Sequence, residues 1–155
     1  MRSLLFSLSL SLAPMALAAA PTEPFEAGTW PRLQREVREP TWVVFSASDC
    51  AHCPGLIARL QQQYPQVPLW RVETDAGEPA EQATAARHFS FGAGNALALR
   101  HGIDPQWRGM TPYLALLRPG QAPLFALAQP SSAQLQALQT KPETRRKARP
   151  TPSNQ

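Results

Sequence analysis

Both cysteines of this 155-residue chain stand in one short segment, Cys50-Ala51-His52-Cys53. A thiolate is the nucleophile of thiol–disulfide exchange, and it is also a ligand for soft metal ions. A structural disulfide stabilises a protein mainly by closing a long loop of the unfolded chain, and two cysteines this close in sequence close a very short one. The spacing therefore predicts a redox pair rather than a structural crosslink.

The segments on either side of the pair predict a buried strand followed by a helix. Residues 41–46 include Trp42-Val43-Val44-Phe45, an apolar run without polar alternation, which is typical of a central strand covered on both faces. Beyond the pair, apolar residues recur at helical spacing: Leu56, Ile57, Leu60 and Tyr64. Cys50 should then lie where a strand meets a helix N-terminus, and the dipole of that helix favours the thiolate.

Other patterns predict alternating helices and strands without an internal repeat. We expect an extended lead-in at 19–28 and a short helix that is capped by Thr29 and ended by Glu39-Pro40. The remaining predicted elements are a strand at 68–73, an Ala-rich helix at 78–89, a helix capped by Asn95 and ending at Gly102, a strand within 110–117, a partner strand at 124–127 and a last helix capped by Ser131 or Ser132.

The first residues predict a secretory signal peptide. Arg2 is followed by a Leu-, Ala- and Ser-rich stretch from Leu4 to Leu17, and Ala16-Leu17-Ala18 is a small-x-small cleavage signal. We therefore expect a signal peptide at 1–18 and a folded domain at 19–140. The leader has a bacterial style, which favours the periplasm, an oxidising compartment. The alternative is an uncleaved membrane anchor, although the apolar stretch is short for a bilayer span.

The net charge of +4 is concentrated at the C-terminus. Five basic side chains and one acidic side chain follow Gln139, so residues 141–155 account for a charge of +4. A basic segment with prolines and without apolar residues predicts a disordered tail. No aromatic residues interleave with these charges, so the sequence gives no support for nucleic-acid binding.

The motifs resemble those of the thioredoxin superfamily, specifically its exported members. The resemblance rests on Val43-Val44-Phe45 leading into Cys50-x-x-Cys53, on Thr111-Pro112 leading into 113–117, and on the turn at Arg118-Pro119-Gly120 with its closing hairpin and helix. It extends from about Trp30 to Gln139. It implies a thioredoxin-like three-layer α/β/α sandwich. The central mixed sheet would have about four strands, with a helical insertion between the second strand and the strand after Pro112.

The resemblance also implies roles for individual residues. Cys50 would be the attacking thiolate, and Cys53 the resolving thiol. His52 would stabilise the Cys50 thiolate by its charge or by a hydrogen bond. Pro112 would follow a cis peptide bond and lie against the cysteine pair, and the backbone of Thr111 would meet the substrate. The implied partners are protein thiol or disulfide substrates and an unidentified redox partner, with no cofactor.

Three residues depart from the pattern of the superfamily. Asp49 precedes the first cysteine where thioredoxin has Trp; it either opposes thiolate formation or simply caps the turn. Val44 stands six residues before Cys50, where many relatives bury a proton-shuttling acid. Pro54 removes an N–H that would bond back toward Cys50, so we expect an irregular first turn of the helix. The insertion at 78–94 and 104–107 is expected to rim the substrate groove.

Two functions from different classes remain open. The first is dithiol–disulfide exchange with exported proteins. The second is a copper chaperone or binding module in which the cysteines are metal ligands, joined by His52 and by His88 or His101. We favour the first, with no metal, because no spacing relates those histidines to the cysteines. Trp107 is expected either to contact substrate or to cover the core. No separate dimerisation domain is visible, which favours a monomer.

Overall fold

The computed structural model describes residues 21–75, 85–92 and 95–140, which form a mixed α/β fold. The strands are β1 (Thr22–Phe25), β2 (Thr41–Ser46), β3 (Leu69–Glu73), β4 (Arg87–Phe91), β5 (Tyr113–Leu117) and β6 (Leu124–Leu127). The helices are α1 (Thr29–Glu36), α2 (Cys53–Gln63), α3 (Ala96–Ile103) and α4 (Ser132–Thr140). Within these ranges, no helix is long and apolar enough to cross a membrane. The predicted signal peptide at 1–18 and tail at 141–155 lie outside the described residues.

The strands form one mixed sheet with β2 near its centre. The order is β1-β4-β3-β2-β5-β6, in which the first four strands are parallel, β5 is antiparallel to β2, and β6 is antiparallel to β5. Every residue of β2 is buried, because strands flank both of its edges and helices cover both of its faces. The apolar run at 41–46 predicted this strand, and the structure confirms it.

Alternating side chains of β2 enter two separate cores. Val43 and Phe45 face an aromatic core under α1 and α3, whereas Trp42 and Val44 face a mainly aliphatic core under α2 and α4. The sheet is therefore sandwiched between two helical layers, as the predicted α/β/α arrangement requires. The rings of the first core come from strands, helices and loops: Phe25, Trp30, Phe45, Trp70, Phe89, Phe91, Trp107 and Tyr113.

The sheet has six strands, so the prediction of about four is wrong. One additional strand, β1, falls in the predicted lead-in at 19–28. It is only four residues long and buries Phe25 alone, which is too short an alternation to identify a strand from sequence. It joins the sheet by pairing in parallel with β4. Its position is further held by Arg87, whose guanidinium donates to both oxygens of Glu23 at 2.7 and 2.6 Å.

The second additional strand, β4, falls in the predicted helical insertion. The helix predicted at 78–89 is wrong at 87–89, while 76–84 lies outside the described residues. The Ala-rich composition suggested a helix, but side chains at 87–91 alternate in burial. Phe89 and Phe91 are buried in the aromatic core, whereas His88 and Ser90 are half-buried. This period of two is typical of a strand, and the burial of two rings outweighs local helix propensity.

The cap predicted at Thr29 is wrong, because Thr29 lies inside α1, Gly28 is the N-cap, and no side chain caps that helix. The two predicted helix caps in the C-terminal half are confirmed. The Asn95 side chain accepts a hydrogen bond from the Ala98 N–H at 3.1 Å. The Ser131 hydroxyl accepts from the Gln134 N–H at 3.2 Å, and the Gln134 side chain accepts from the Ser131 N–H at 2.8 Å. The second pair is a reciprocal capping box, which satisfies two N–H groups at the start of α4.

His88 should make the fold less stable as the pH falls through about 6.5. Burial, followed by the positive charge of Arg71 on the adjacent strand, lowers the pKa of His88 from its ordinary value of 6.5. The unfolded chain therefore binds this proton more readily, and stability present above the ordinary pKa is lost as the pH falls. We expect His88→Gln to flatten the pH dependence of the urea unfolding free energy between pH 7.5 and pH 5.5. Equal slopes for wild type and His88→Gln would contradict this account.

Candidate functional site

The two cysteines are joined in a disulfide, with sulfurs 2.07 Å apart and Cα atoms 5.5 Å apart. Cys53 is 1% exposed and Cys50 is 9% exposed. The first sulfur of the pair is therefore closer to solvent than the second. This is the order required if Cys50 meets a partner and Cys53 reacts only within the protein.

Cys50 precedes helix α2 and does not belong to it. The Cys50 N–H donates to the Ala47 carbonyl, and the Cys50 carbonyl accepts the Cys53 N–H, both at 3.1 Å. The helix begins at Cys53 because Pro54 has no N–H to donate to the Cys50 carbonyl. The expected irregular first turn is thus confirmed. The expectation that Cys50 lies at the start of the helix is wrong, because the helix begins three residues later, at Cys53. His52 occupies the N-cap position, and its ring is exposed and makes no cap hydrogen bond.

The peptide bond between Thr111 and Pro112 is cis, as the resemblance implied. Phe45 of β2 pairs with Tyr113 of β5 in antiparallel register. Pro112 therefore enters β5 at the end of the sheet where β2 leads into the cysteine loop. Pro112 is buried, Thr111 is half-buried, and the Pro112 carbonyl accepts the Ala128 N–H at 3.0 Å.

Asp75 anchors the loop that carries the cysteines. The Ser48 N–H donates to both carboxylate oxygens of Asp75 at 3.1 and 3.0 Å, and the Ser48 hydroxyl donates to one of them at 2.6 Å. The exposed Asp49, considered as a cap from the sequence, makes none of these bonds. Sequence analysis missed Asp75. The available signal was a carboxylate just beyond strand β3, because neighbouring parallel strands end at the same edge of a sheet.

We expect Asp75→Ala to lower the free energy of unfolding of the oxidised protein by about 2–3 kcal/mol, because hydrogen bonds to a charged group contribute about 1.5–3 kcal/mol. Ser48→Ala is the matched control: it removes only the hydroxyl bond and keeps the two bonds from the Ser48 N–H, so its cost should lie at the lower end of that range, about 1.5 kcal/mol. Urea denaturation of both variants measures the difference. An Asp75→Ala variant no less stable than Ser48→Ala would show that the carboxylate does not hold the loop.

A second set of contacts holds the segment that leads into Pro112. The Trp107 indole N–H donates to the Met110 carbonyl at 2.8 Å, and its ring stacks on Tyr113 with centroids 4.7 Å apart. The Tyr113 hydroxyl donates to Asp104, and burial followed by this hydrogen bond raises the pKa of Tyr113. Trp107 is 5% exposed. Of the two roles considered from the sequence, covering the core is therefore the one that the structure supports.

Val44 stands six residues before Cys50, where many thioredoxin-like proteins bury a proton-shuttling acid. It is fully buried among aliphatic side chains. A buried ion pair, Arg71 with Glu73, lies on the adjacent strand β3. Burial raises the pKa of Glu73, and the Arg71 charge opposes that rise. Glu73 pairs in register with Ser46, so this carboxylate lies at the end of the sheet nearer the cysteine loop.

The histidines considered as metal ligands differ in their surroundings. His88 is half-buried on strand β4, and His101 is exposed on α3. Among residues 21–75, 85–92 and 95–140, no group of three or more His, Cys, Asp or Glu side chains could hold a metal ion. The structure therefore brings the cysteines together with each other, and does not bring these histidines into a ligand cluster with them.

Neither a scan against models of protein families nor a search of curated proteins gives a match for this chain. The likeness to the thioredoxin superfamily therefore rests on the motifs quoted for it above. The chemistry of the site is inferred from its own geometry.

Proposed function

We propose that this protein is an exported, thioredoxin-like thiol–disulfide oxidoreductase that exchanges a dithiol or disulfide at Cys50 and Cys53 with protein substrates. The observation that carries the proposal is the arrangement of three features at one end of the sheet. A buried central strand leads into the cysteine pair, a helix begins at the second cysteine, and a cis Thr111–Pro112 bond begins the neighbouring strand. A disulfide with only a structural role would not need this arrangement.

The proposed exchange proceeds in two balanced steps. In the reducing direction, the Cys50 thiolate attacks one sulfur of a substrate disulfide, which forms a mixed disulfide and releases the other substrate sulfur as a thiolate. The Cys53 thiolate then attacks the Cys50 sulfur, which forms the Cys50–Cys53 disulfide and releases the second substrate thiolate. Oxidation of a substrate dithiol is the reverse sequence. The burial of Cys53 favours an attack within the protein.

Other residues of the site would support these steps. The first turn of α2 contains no acidic side chain, so the partial positive charge of the helix N-terminus is not offset there. His52, at the N-cap of the same helix, would add a positive charge or a hydrogen bond for a thiolate. Thr111 would offer its backbone to an extended substrate segment. We propose that the protein acts as a monomer in the periplasm after removal of residues 1–18.

The test is the reduction potential of the cysteine pair, measured in glutathione buffers together with turnover of a disulfide-containing protein. A potential between about −270 and −120 mV, with turnover faster than glutathione alone, would support the proposal. A potential below about −300 mV without turnover would indicate a structural disulfide and refute it. Stoichiometric copper retention by the reduced protein, again without turnover, would favour the chaperone instead.

A further inference from the structure

A small cavity with cationic walls lies beside the segment that leads into Pro112. Its volume is about 210 Å³, and it is lined by Leu97, Arg100, His101, Pro105, Trp107 and Arg108. Leu97 is 70% exposed, one of the few large apolar side chains left open to solvent among the described residues. The lining thus combines two guanidinium groups and an imidazole with apolar surface.

The two arginines of this cavity have no carboxylate partner in the described part of the protein. Arg100 and Arg108 form no ion pair with any described carboxylate. Arg100 uses its Nε–H on the Ala96 carbonyl at 3.1 Å, and its terminal nitrogens make no hydrogen bond to a described residue. Asp104 is nearby in sequence, and the hydrogen bonds it accepts come from Gln106 and Tyr113 and not from either arginine.

One of these cations lies close to the backbone at Gly109. The Arg100 guanidinium occupies the space that a side chain at position 109 would need, and Gly109 has a φ of +89°. The positive φ therefore favours glycine at this position, whereas the end of the flexible Arg100 side chain could move to make room for a small side chain. The cation lies against the backbone between Arg108 and Met110.

The cavity is also close to the proposed substrate-binding backbone. Arg108 precedes Thr111 by three positions, so their Cα atoms are at most about 11 Å apart. Trp107 links the two places, because its ring lines the cavity while its N–H holds the Met110 carbonyl. An extended peptide lying along Thr111 would reach the cavity with a residue about three or four positions from its cysteine.

We propose that this cavity, lined by Arg100, Arg108 and Leu97, selects substrates that carry an acidic segment about three or four residues from the reacting cysteine. The inference rests on the proposed function, because it concerns the choice of partner at the same site. Carboxylates would pair with the two guanidinium groups, which offer planar, multiple N–H donors. A neighbouring apolar side chain would cover Leu97. Charges at the rim of a contact act mainly on the association rate and on the choice of partner.

The experiment compares two disulfide-containing peptides that differ only in glutamates or lysines at those positions, and measures kcat/KM for exchange. Wild type should prefer the acidic peptide, and Arg108→Gln should lower that preference about threefold, as expected for one exposed ion pair. Arg108→Glu should reverse it. The preference should fall in 1 M NaCl, where the Debye length is about 3 Å. Arg38→Gln is the matched control: it removes the same charge from an exposed arginine before β2, at the other end of the sheet, and should leave the preference unchanged.

The outcomes separate this inference from the proposed function. If both peptides react equally well with wild type, or if Arg38→Gln and Arg108→Gln change the preference equally, the cavity does not select and the inference is wrong. If neither peptide reacts and the reduction potential of the cysteine pair lies below about −300 mV, the proposed exchange function is wrong. Fluorescence anisotropy then measures binding of the labelled peptides to the Cys50→Ser/Cys53→Ser protein. Because this protein cannot exchange disulfides, the measurement tests peptide selection separately from the exchange function. Equal affinities for the acidic and basic peptides would overturn it.

Discussion

Cys53→Ala should accumulate a stable mixed disulfide between Cys50 and substrate, whereas Cys50→Ala should lose exchange completely. The expectation follows from the difference in exposure within the pair, 9% for Cys50 and 1% for Cys53. The outer sulfur can meet a partner, and the inner sulfur is needed only to release it. Non-reducing electrophoresis and mass spectrometry of proteins captured by each variant measure the trapped species, and a disulfide-reduction assay measures turnover.

The double variant Cys50→Ala/Cys53→Ala is the control for the trapping experiment, because it keeps the surface of the site but has no sulfur. Substrates captured by Cys53→Ala should be absent from the double variant and should be released by dithiothreitol. If Cys53→Ala captures nothing and both single variants turn over like wild type, the redox role is refuted. If Cys50→Ala captures partners more efficiently than Cys53→Ala, the order of attack is reversed.

Trp107→Ala should lower the free energy of unfolding by about 3–5 kcal/mol, the usual cost of removing a large buried aromatic side chain. The ring of Trp107 lies 5.0 Å from Phe45 and 4.7 Å from Tyr113, measured between centroids, and its N–H holds the Met110 carbonyl. Its loss would open a cavity at the base of the segment that presents Thr111 and would free that segment from the core. Urea denaturation measures the stability, and KM for a disulfide substrate measures the presentation of the segment.

Trp107→Phe separates packing from hydrogen bonding. It keeps an aromatic ring against Tyr113 but cannot donate to Met110, so we expect a smaller loss of about 1–2 kcal/mol. Its KM should nevertheless rise, because the carbonyl next to Thr111 is no longer held. If the two variants are equally stable, the hydrogen bond and not the ring dominates. If KM is unchanged in both, Trp107 has a structural role only.

Local sequence patterns were enough to predict the elements that position the cysteine pair. The apolar run at 41–46 predicted a central strand, and the helical spacing after Cys53 predicted α2; both are confirmed. The cis bond before Pro112, implied by the resemblance, is also present. These features depend on residues that lie close together in sequence, so a pattern within one segment carries the information. The irregular entry to α2 followed in the same way from the missing N–H of Pro54.

Contacts between distant segments could not be predicted in this way. Strand β1 exists because Phe25 packs among rings from other strands and because β4 offers an open edge, and neither fact is visible in residues 22–25. Asp75 reaches Ser48 across a sequence separation of 27 residues. The cationic cavity likewise exists only because α3 folds against the loop that precedes Pro112.

The sequence by itself determined the cysteine pair, the strand and helix that flank it, and the proline that begins the neighbouring strand. The tertiary structure decided the number of strands, the carboxylate that holds the cysteine loop and the arginines that line the cavity beside the segment before Pro112. The physical reason is the sequence distance over which each kind of interaction acts. Hydrophobic period, capping and proline geometry act over a few residues, whereas sheet edges, buried charges and cavity walls are shared between segments that only folding brings together.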